Sequence, residues 1–87
     1  MDRQLVEKEI HFRATRRGLK ETDLLFSRFL KDGLTAFSND DLLVLTDILQ
    51  QTDQDLLLWV IEGHLPPEQD SPMMQRLIAC ARELHKP

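Results

Sequence analysis

Ser38-Asn39-Asp40-Asp41-Leu42-Leu43-Val44-Leu45-Thr46-Asp47-Ile48-Leu49-Gln50-Gln51-Thr52-Asp53-Gln54-Asp55-Leu56-Leu57-Leu58-Trp59-Val60-Ile61-Glu62-Gly63 holds two helix starts and one helix stop in a single run. Ser38 and Asp41 have the spacing of a capping box, in which the hydroxyl takes the N–H of residue 41 and the carboxylate reaches back to the cap. Phe37 and Leu42 flank it as a hydrophobic staple. A helix is expected over Asn39–Gln50 with Leu42, Leu45 and Leu49 inward. Thr52-Asp53-Gln54-Asp55 repeats the signature and opens a helix expected over Asp53–Glu62. That helix is apolar nearly all round, the pattern of a buried bundle centre. Gly63 is a natural stop.

Working outward, Pro66-Pro67 lies in a loop. Ser71-Pro72 is a cap followed by proline at the first helical position. The last helix is expected over Pro72–Leu84, with Met74, Leu77, Ile78 and Ala81 inward. Upstream, a helix over Arg3–Arg17 carries Leu5, Val6, Ile10 and Ala14 roughly on one side. It ends in cations before Gly18, where the chain is expected to turn left-handed. The next helix, Lys20–Lys31, has Leu24, Leu25, Phe26 and Phe29 as its apolar stripe and Glu21 and Asp23 in its first turn. Asp32-Gly33 ends it. Five short helices with short connections predict an all-α, small antiparallel bundle, one domain over residues 1–87.

The 87 residues (10.2 kDa) leave no room for a Rossmann unit with a substrate domain, or for a TIM barrel. Hydrophobic residues at 41% and charged residues at 30% make a globular balance. One cysteine, Cys80, cannot pair within the chain, which suggests a reducing compartment. The longest apolar run, Leu56–Ile61, is far too short to cross a bilayer. The opening residues carry neither a signal region nor a presequence pattern. A soluble cytoplasmic protein, without membrane contact, is expected.

The net charge of −4 conceals an asymmetry. Residues 1–20 hold six cations against three acids, residues 21–70 two against eleven, and residues 71–87 three against one. Positive charge therefore concentrates around residues 11–20, where no acid intervenes.

No catalytic, cofactor or metal constellation is legible. Gly18, Gly33 and Gly63 are too far apart for a phosphate loop. His11, His64 and His85 lie on three different elements, none with a partner at metal-binding spacing. Cys80, among Ile78, Ala79 and Ala81, reads as an inert, half-buried thiol. The carboxylates of residues 40–55 read as caps and first-turn charges. Trp59 reads as a core aromatic and Met73-Met74 as gap-filling core.

The exception is the segment from His11 to Asp23. Its charges fit a helix end followed by a helix start. They equally fit a recognition patch: Phe12 sits among Arg13, Arg16, Arg17 and Lys20, Gly18 permits close approach, and Glu21 lies one turn past Arg17. The residues alone leave both readings open.

Arg17-Gly18-Leu19-Lys20-Glu21 resembles the RGxxE signature of the succinate dehydrogenase flavinylation factors, the SdhE-type proteins also called succinate dehydrogenase assembly factor 2. Asp23, the preceding Phe12-Arg13, Phe29, Ser38 to Leu42, Asp53 to Leu56, Trp59 and the prolines after Gly63 follow the same pattern. The resemblance covers roughly residues 5–84. Thr22 and Gln54 depart from it, where a large apolar residue and proline are usual, and Thr22 is expected to loosen local packing.

The resemblance implies a five-helix fold and an assembly chaperone rather than an enzyme. It implies binding to the flavoprotein subunit of succinate dehydrogenase, and of fumarate reductase, and promotion of covalent FAD attachment that the partner itself catalyses. No cofactor would be held stably by this chain, and the free protein would be a monomer. The contact residues implied are Arg17, Gly18, Glu21 and Asp23. The charge map adds Phe12, Arg13 and Arg16. A regulatory interaction module such as an antitoxin is the alternative. Nucleic-acid binding is disfavoured by the acidic body and the pI of about 5.2.

Overall fold

A computed structural model describes residues 1–84. Among these residues there are five α-helical segments and no strand: α1 (Arg3–Ala14), α2 (Lys20–Phe29), α3 (Asn39–Leu49), α4 (Asp53–Leu56) and α5 (Pro72–Leu84). His85 lies outside the described residues. The helix starts form as the local chemistry dictates. Ser38 Oγ accepts the Asp41 N–H and Asp41 accepts the Ser38 N–H, so the capping box is closed in both directions. Thr52 Oγ1 accepts the Asp55 N–H, and Ser71 Oγ accepts the Met74 N–H.

Both α1 and α2 are shorter than expected, ending at Ala14 and Phe29. On α1, Ile10 and Ala14 are buried, Val6 is half-buried and Leu5 is exposed; on α2, Leu25 and Phe26 are buried and Leu24 is exposed. Of the three glycines, Gly33 and Gly63 take positive φ, at 79° and 80°. Gly18 does not, so the left-handed turn expected there is corrected. Its glycine answers a different demand, described below.

The fourth helix departs furthest from expectation. After α4 the coil widens into a π-helix, Leu57–Ile61, in which the Glu62 N–H bonds the Leu57 carbonyl at 2.8 Å. Gly63 then reverses the chain and the His64 N–H reaches the Leu58 carbonyl. Only Leu56 and Val60 of this apolar run are buried; Leu57, Trp59 and Ile61 are partly covered and Leu58 is exposed. It is therefore not a surrounded centre. The π-helix packs on α5 and α2, which leaves one flank open.

The core is shared by all five helices and is filled chiefly by Ile10, Leu25, Phe26, Leu42, Leu45, Leu49, Leu56, Met74 and Leu77. Burying a leucine or isoleucine of this kind contributes about 1.5–3 kcal/mol. Met73 and Met74 both fill core, and Cys80 is half-buried with its thiol pushed up by burial, an effect that Arg28 and Lys31 partly offset. Arg76 stacks over Phe37 and Phe29, which meet at 5.9 Å, and so ties α5 to α2 and the loop after it.

Two arginines fix α1 along α3. Arg3, at the start of α1, donates to the carbonyls of Leu34 and Phe37 and to Asn39 Oδ1, at the start of α3. Arg17, beyond the end of α1, reaches the end of α3. The two helices thus run in the same sense, as an up-down-up chain requires.

Candidate functional site

The connection from α1 to α2 is built without the usual caps. Thr15 closes α1 by returning its N–H and its hydroxyl to the His11 carbonyl. Leu19 stands at the N-cap of α2 with no side chain able to accept. Its carbonyl instead takes the Asp23 N–H and the Thr22 hydroxyl, and Asp23 Oδ1 accepts the Arg17 N–H at 3.2 Å.

Arg17 lies at the centre of this turn and faces inward, its side chain only 8% exposed. Nε donates to Asp53 Oδ1 at 2.6 Å, Nη1 to the Leu49 carbonyl and Nη2 to the Gln51 carbonyl, both at 2.8 Å. The Leu49 carbonyl is one that the end of α3 leaves without a helical partner, and Gln51 lies in the link to α4. The guanidinium thus serves the C-terminus of α3 and the N-terminus of α4 together. It also lies 5.8 Å from the centroid of the Phe26 ring.

Asp53, the first residue of α4, receives three donors from the turn. Besides Arg17 Nε, Oδ1 accepts the Thr22 hydroxyl at 3.1 Å, and Oδ2 accepts the Gly18 N–H at 2.6 Å. Burial raises the pKa of this carboxyl. The Arg17 hydrogen bond, the Gly18 N–H, the Arg17 charge and the Thr22 hydroxyl outweigh that effect and hold it below the ordinary carboxylate value. Position 18 is tight: a Cβ there would lie 3.1 Å from Asp53 Oδ2. A side chain there presses on the acceptor of its own N–H, and the carboxylate has to give by a few tenths of an ångström.

Around this closed network lies an exposed edge. Arg16 stacks on Phe12 at 4.4 Å, and Phe12 is 55% exposed. Arg13 pairs with Glu9 one turn earlier. Lys20 and Glu21 are exposed on the first turn of α2. Beside them, between α1 and α2, is a groove of about 340 Å³ lined by His11, Thr15, Asp23, Ser27 and the apolar Ala14 and Phe26. The turn thus gathers all seven sequence-selected residues: Arg17, Gly18 and Asp23 in its framework, and Phe12, Arg13, Arg16 and Glu21 on its open side.

Two framework residues escaped the sequence reading. Asp53 reads locally as a first-turn acid, and nothing near it points to Arg17, 36 residues away. Thr22 was expected to loosen packing. It is fully buried, and its single hydroxyl hydrogen is shared between the Leu19 carbonyl and Asp53 Oδ1. Among the described residues no group of three or more His, Cys, Asp or Glu is placed to hold a metal ion, and no helix is long and apolar enough to cross a membrane.

Comparison with known proteins adds an independent line. Residues 8–81 match the family model Sdh5, described as "Flavinator of succinate dehydrogenase". The chain is 30% identical over 76 residues to the FAD assembly factor SdhE of Acetobacter pasteurianus, an alignment covering 86% of this chain and 70% of that protein. It is 34% identical over 64 residues to the protein of that name from Acinetobacter baylyi, covering 74% of each. It is 31% identical over 75 residues to the mitochondrial succinate dehydrogenase assembly factor 2 of Komagataella phaffii, covering 80% of this chain and 40% of that longer protein. No solved structure matches. The helical architecture, the turn that carries Arg17-Gly18 and Glu21, and the match along most of its length agree: the chain belongs to the family of succinate dehydrogenase flavinylation factors, assembly factors rather than enzymes.

Proposed function

We propose that this protein binds the flavoprotein subunit of succinate dehydrogenase, and that of a related fumarate reductase, and promotes covalent attachment of FAD to it. The observation that carries this reading is the exposed edge of Phe12, Arg13, Arg16 and Glu21, set on a turn that Arg17, Gly18 and Asp23 hold rigid. An exposed aromatic with an arginine stacked on it offers apolar area and forked donors at low entropic cost, the chemistry of an interface anchor. A cationic edge on an acidic body steers an acidic partner surface towards it. FAD and its attachment chemistry belong to the partner, and this chain holds no cofactor stably.

The mechanism is a shift of population. The factor binds more tightly to the flavoprotein conformer in which the histidine that receives the flavin and the flavin itself are placed for reaction. A tenfold shift towards that conformer needs about 1.4 kcal/mol of differential affinity. The arrangement suits a monomer that docks and leaves.

Expression of a flavoprotein subunit with and without this protein tests the reading. Flavin fluorescence of the denatured subunit on a gel reports covalent attachment. Fluorescence is expected to rise several-fold when the factor is present. Equal fluorescence with and without it, the subunit being present in equal amount, overturns the proposal.

A further inference from the structure

Arg17 spends its Nε, Nη1 and Nη2 on groups within the molecule, and Gly18 spends its N–H on Asp53. Two surface groups of the turn, Arg16 before it and Glu21 after it, are separated by four residues of which three bond directly into the network: Arg17, Gly18 and, through its carbonyl to the Thr22 hydroxyl, Leu19. The spacing and direction of Arg16 and Glu21 are therefore set by what the network holds, and one carboxylate holds most of it. Asp53 alone contacts the turn before Gly18, at Gly18 and inside α2, through Arg17 Nε, the Gly18 N–H and Thr22 Oγ1. It does so from the N-terminus of a different helix, and its own side chain is 19% exposed.

We propose that Asp53 is a positioning residue for partner docking. Its carboxylate sets the turn so that Arg16 and Glu21 meet the flavoprotein subunit at a fixed separation, although Asp53 itself makes no contact with that subunit. This rests on the reading that the edge is the docking surface. It extends that reading to a residue on another helix, and it recasts Arg17 as an internal strut. The geometry leaves little alternative for Asp53 as a mere helix cap, because Thr52 already caps α4 through its hydroxyl. Preorganisation of this kind raises affinity by removing the ordering cost at the interface.

The test is a double-mutant cycle read as the dissociation constant for the purified flavoprotein subunit, at a temperature where every variant is folded by circular dichroism. Asp53→Asn keeps the size of the side chain, removes its charge and turns one of its two acceptor oxygens into an NH2 donor, so that either the Gly18 N–H or the Arg17–Thr22 pair loses its acceptor. It is expected to weaken binding about tenfold in the wild-type background. In an Arg16→Gln, Glu21→Gln background, where the positioned charges are gone, it is expected to cost less than threefold. A purely structural role would give the same factor in both backgrounds, or none, and either result overturns the proposal. Thr22→Val removes one donor from the network without changing side-chain size, and it serves if Asp53→Asn does not fold. It is expected to cost about threefold in the wild-type background and nothing measurable in the double variant, and equal costs again overturn the proposal. Failure of the wild-type protein to bind the subunit would instead defeat the docking reading itself, a result distinct from binding that ignores Asp53.

Discussion

Arg3 and Arg17 stand at opposite ends of the first helical segment and do formally similar work. Each spreads its guanidinium over two backbone carbonyls and a carboxylate, and each fixes one end of α3. Their settings differ. Arg3 is 33% exposed and its carboxylate, Glu7, lies one turn along its own helix at 28% exposure. Arg17 is 8% exposed and its carboxylate comes from the start of α4, with a backbone amide and a hydroxyl also on it. An arginine at the rim is a fastening that water can replace. One under cover, sharing its acceptor with two other donors, makes a hub whose members depend on each other.

The largest expected effect is at that hub. Arg17→Ala leaves Asp53 with a charge and no cation, and the carbonyls of Leu49 and Gln51 without donors. It should destabilise the fold by about 3 kcal/mol in urea unfolding. Arg3→Ala should cost about 1 kcal/mol, since Arg3 is a third exposed and its pairs with Glu7 and Asn39 are open to water. Equal losses would erase the distinction drawn here.

The acid dependence is smaller, because only the ionic part of the hub titrates. The Asp53 carboxyl is held below its ordinary value, so its contribution is complete above about pH 4, where the unfolded carboxyl is ionised, and is lost as pH falls through the folded value. The stability gap between wild type and Arg17→Ala should therefore narrow as the pH is lowered from 7 to 3. A gap that stays constant would show that the pairing contributes nothing through charge. Smallest of all, Arg16→Gln should change stability by less than about 0.5 kcal/mol, since Arg16 is a surface residue whose contact is the exposed Phe12 ring. The same variant should lower flavin attachment to the partner subunit on a denaturing gel, so stability and function separate at this position.

The caps were legible because they are local. Ser38 with Asp41, Thr52 with Asp55, and Ser71 before Pro72 each need only residues three apart or fewer, and each forms. The open side of the site was legible because its charges are contiguous. The hub was not. A carboxylate at the first position of a helix has a sufficient local explanation in the helix dipole, and Asp53 looks no different from Asp40 or Asp55 until Arg17 arrives beside it. Gly18 looked like a helix stop for the same reason, whereas the fold sets an oxygen atom from another helix 3.1 Å from where its Cβ would stand. Thr22 looked like a loss because the hydroxyl's two acceptors, Leu19 and Asp53, are set by the fold. In the fourth helix composition misled. An apolar run suggested burial all round, but five short helices cannot surround one of their number, and the π-helical turn leaves Leu58 outside.

The Gly18 amide is the backbone donor on Asp53, and it can be watched individually. It sits on an exposed residue, so bulk water is close by and solvent deuterium can replace its hydrogen only while the bond to Asp53 is open. The slowing of exchange at that position therefore reports how rarely a clasp that joins parts of the chain 35 residues apart stands open.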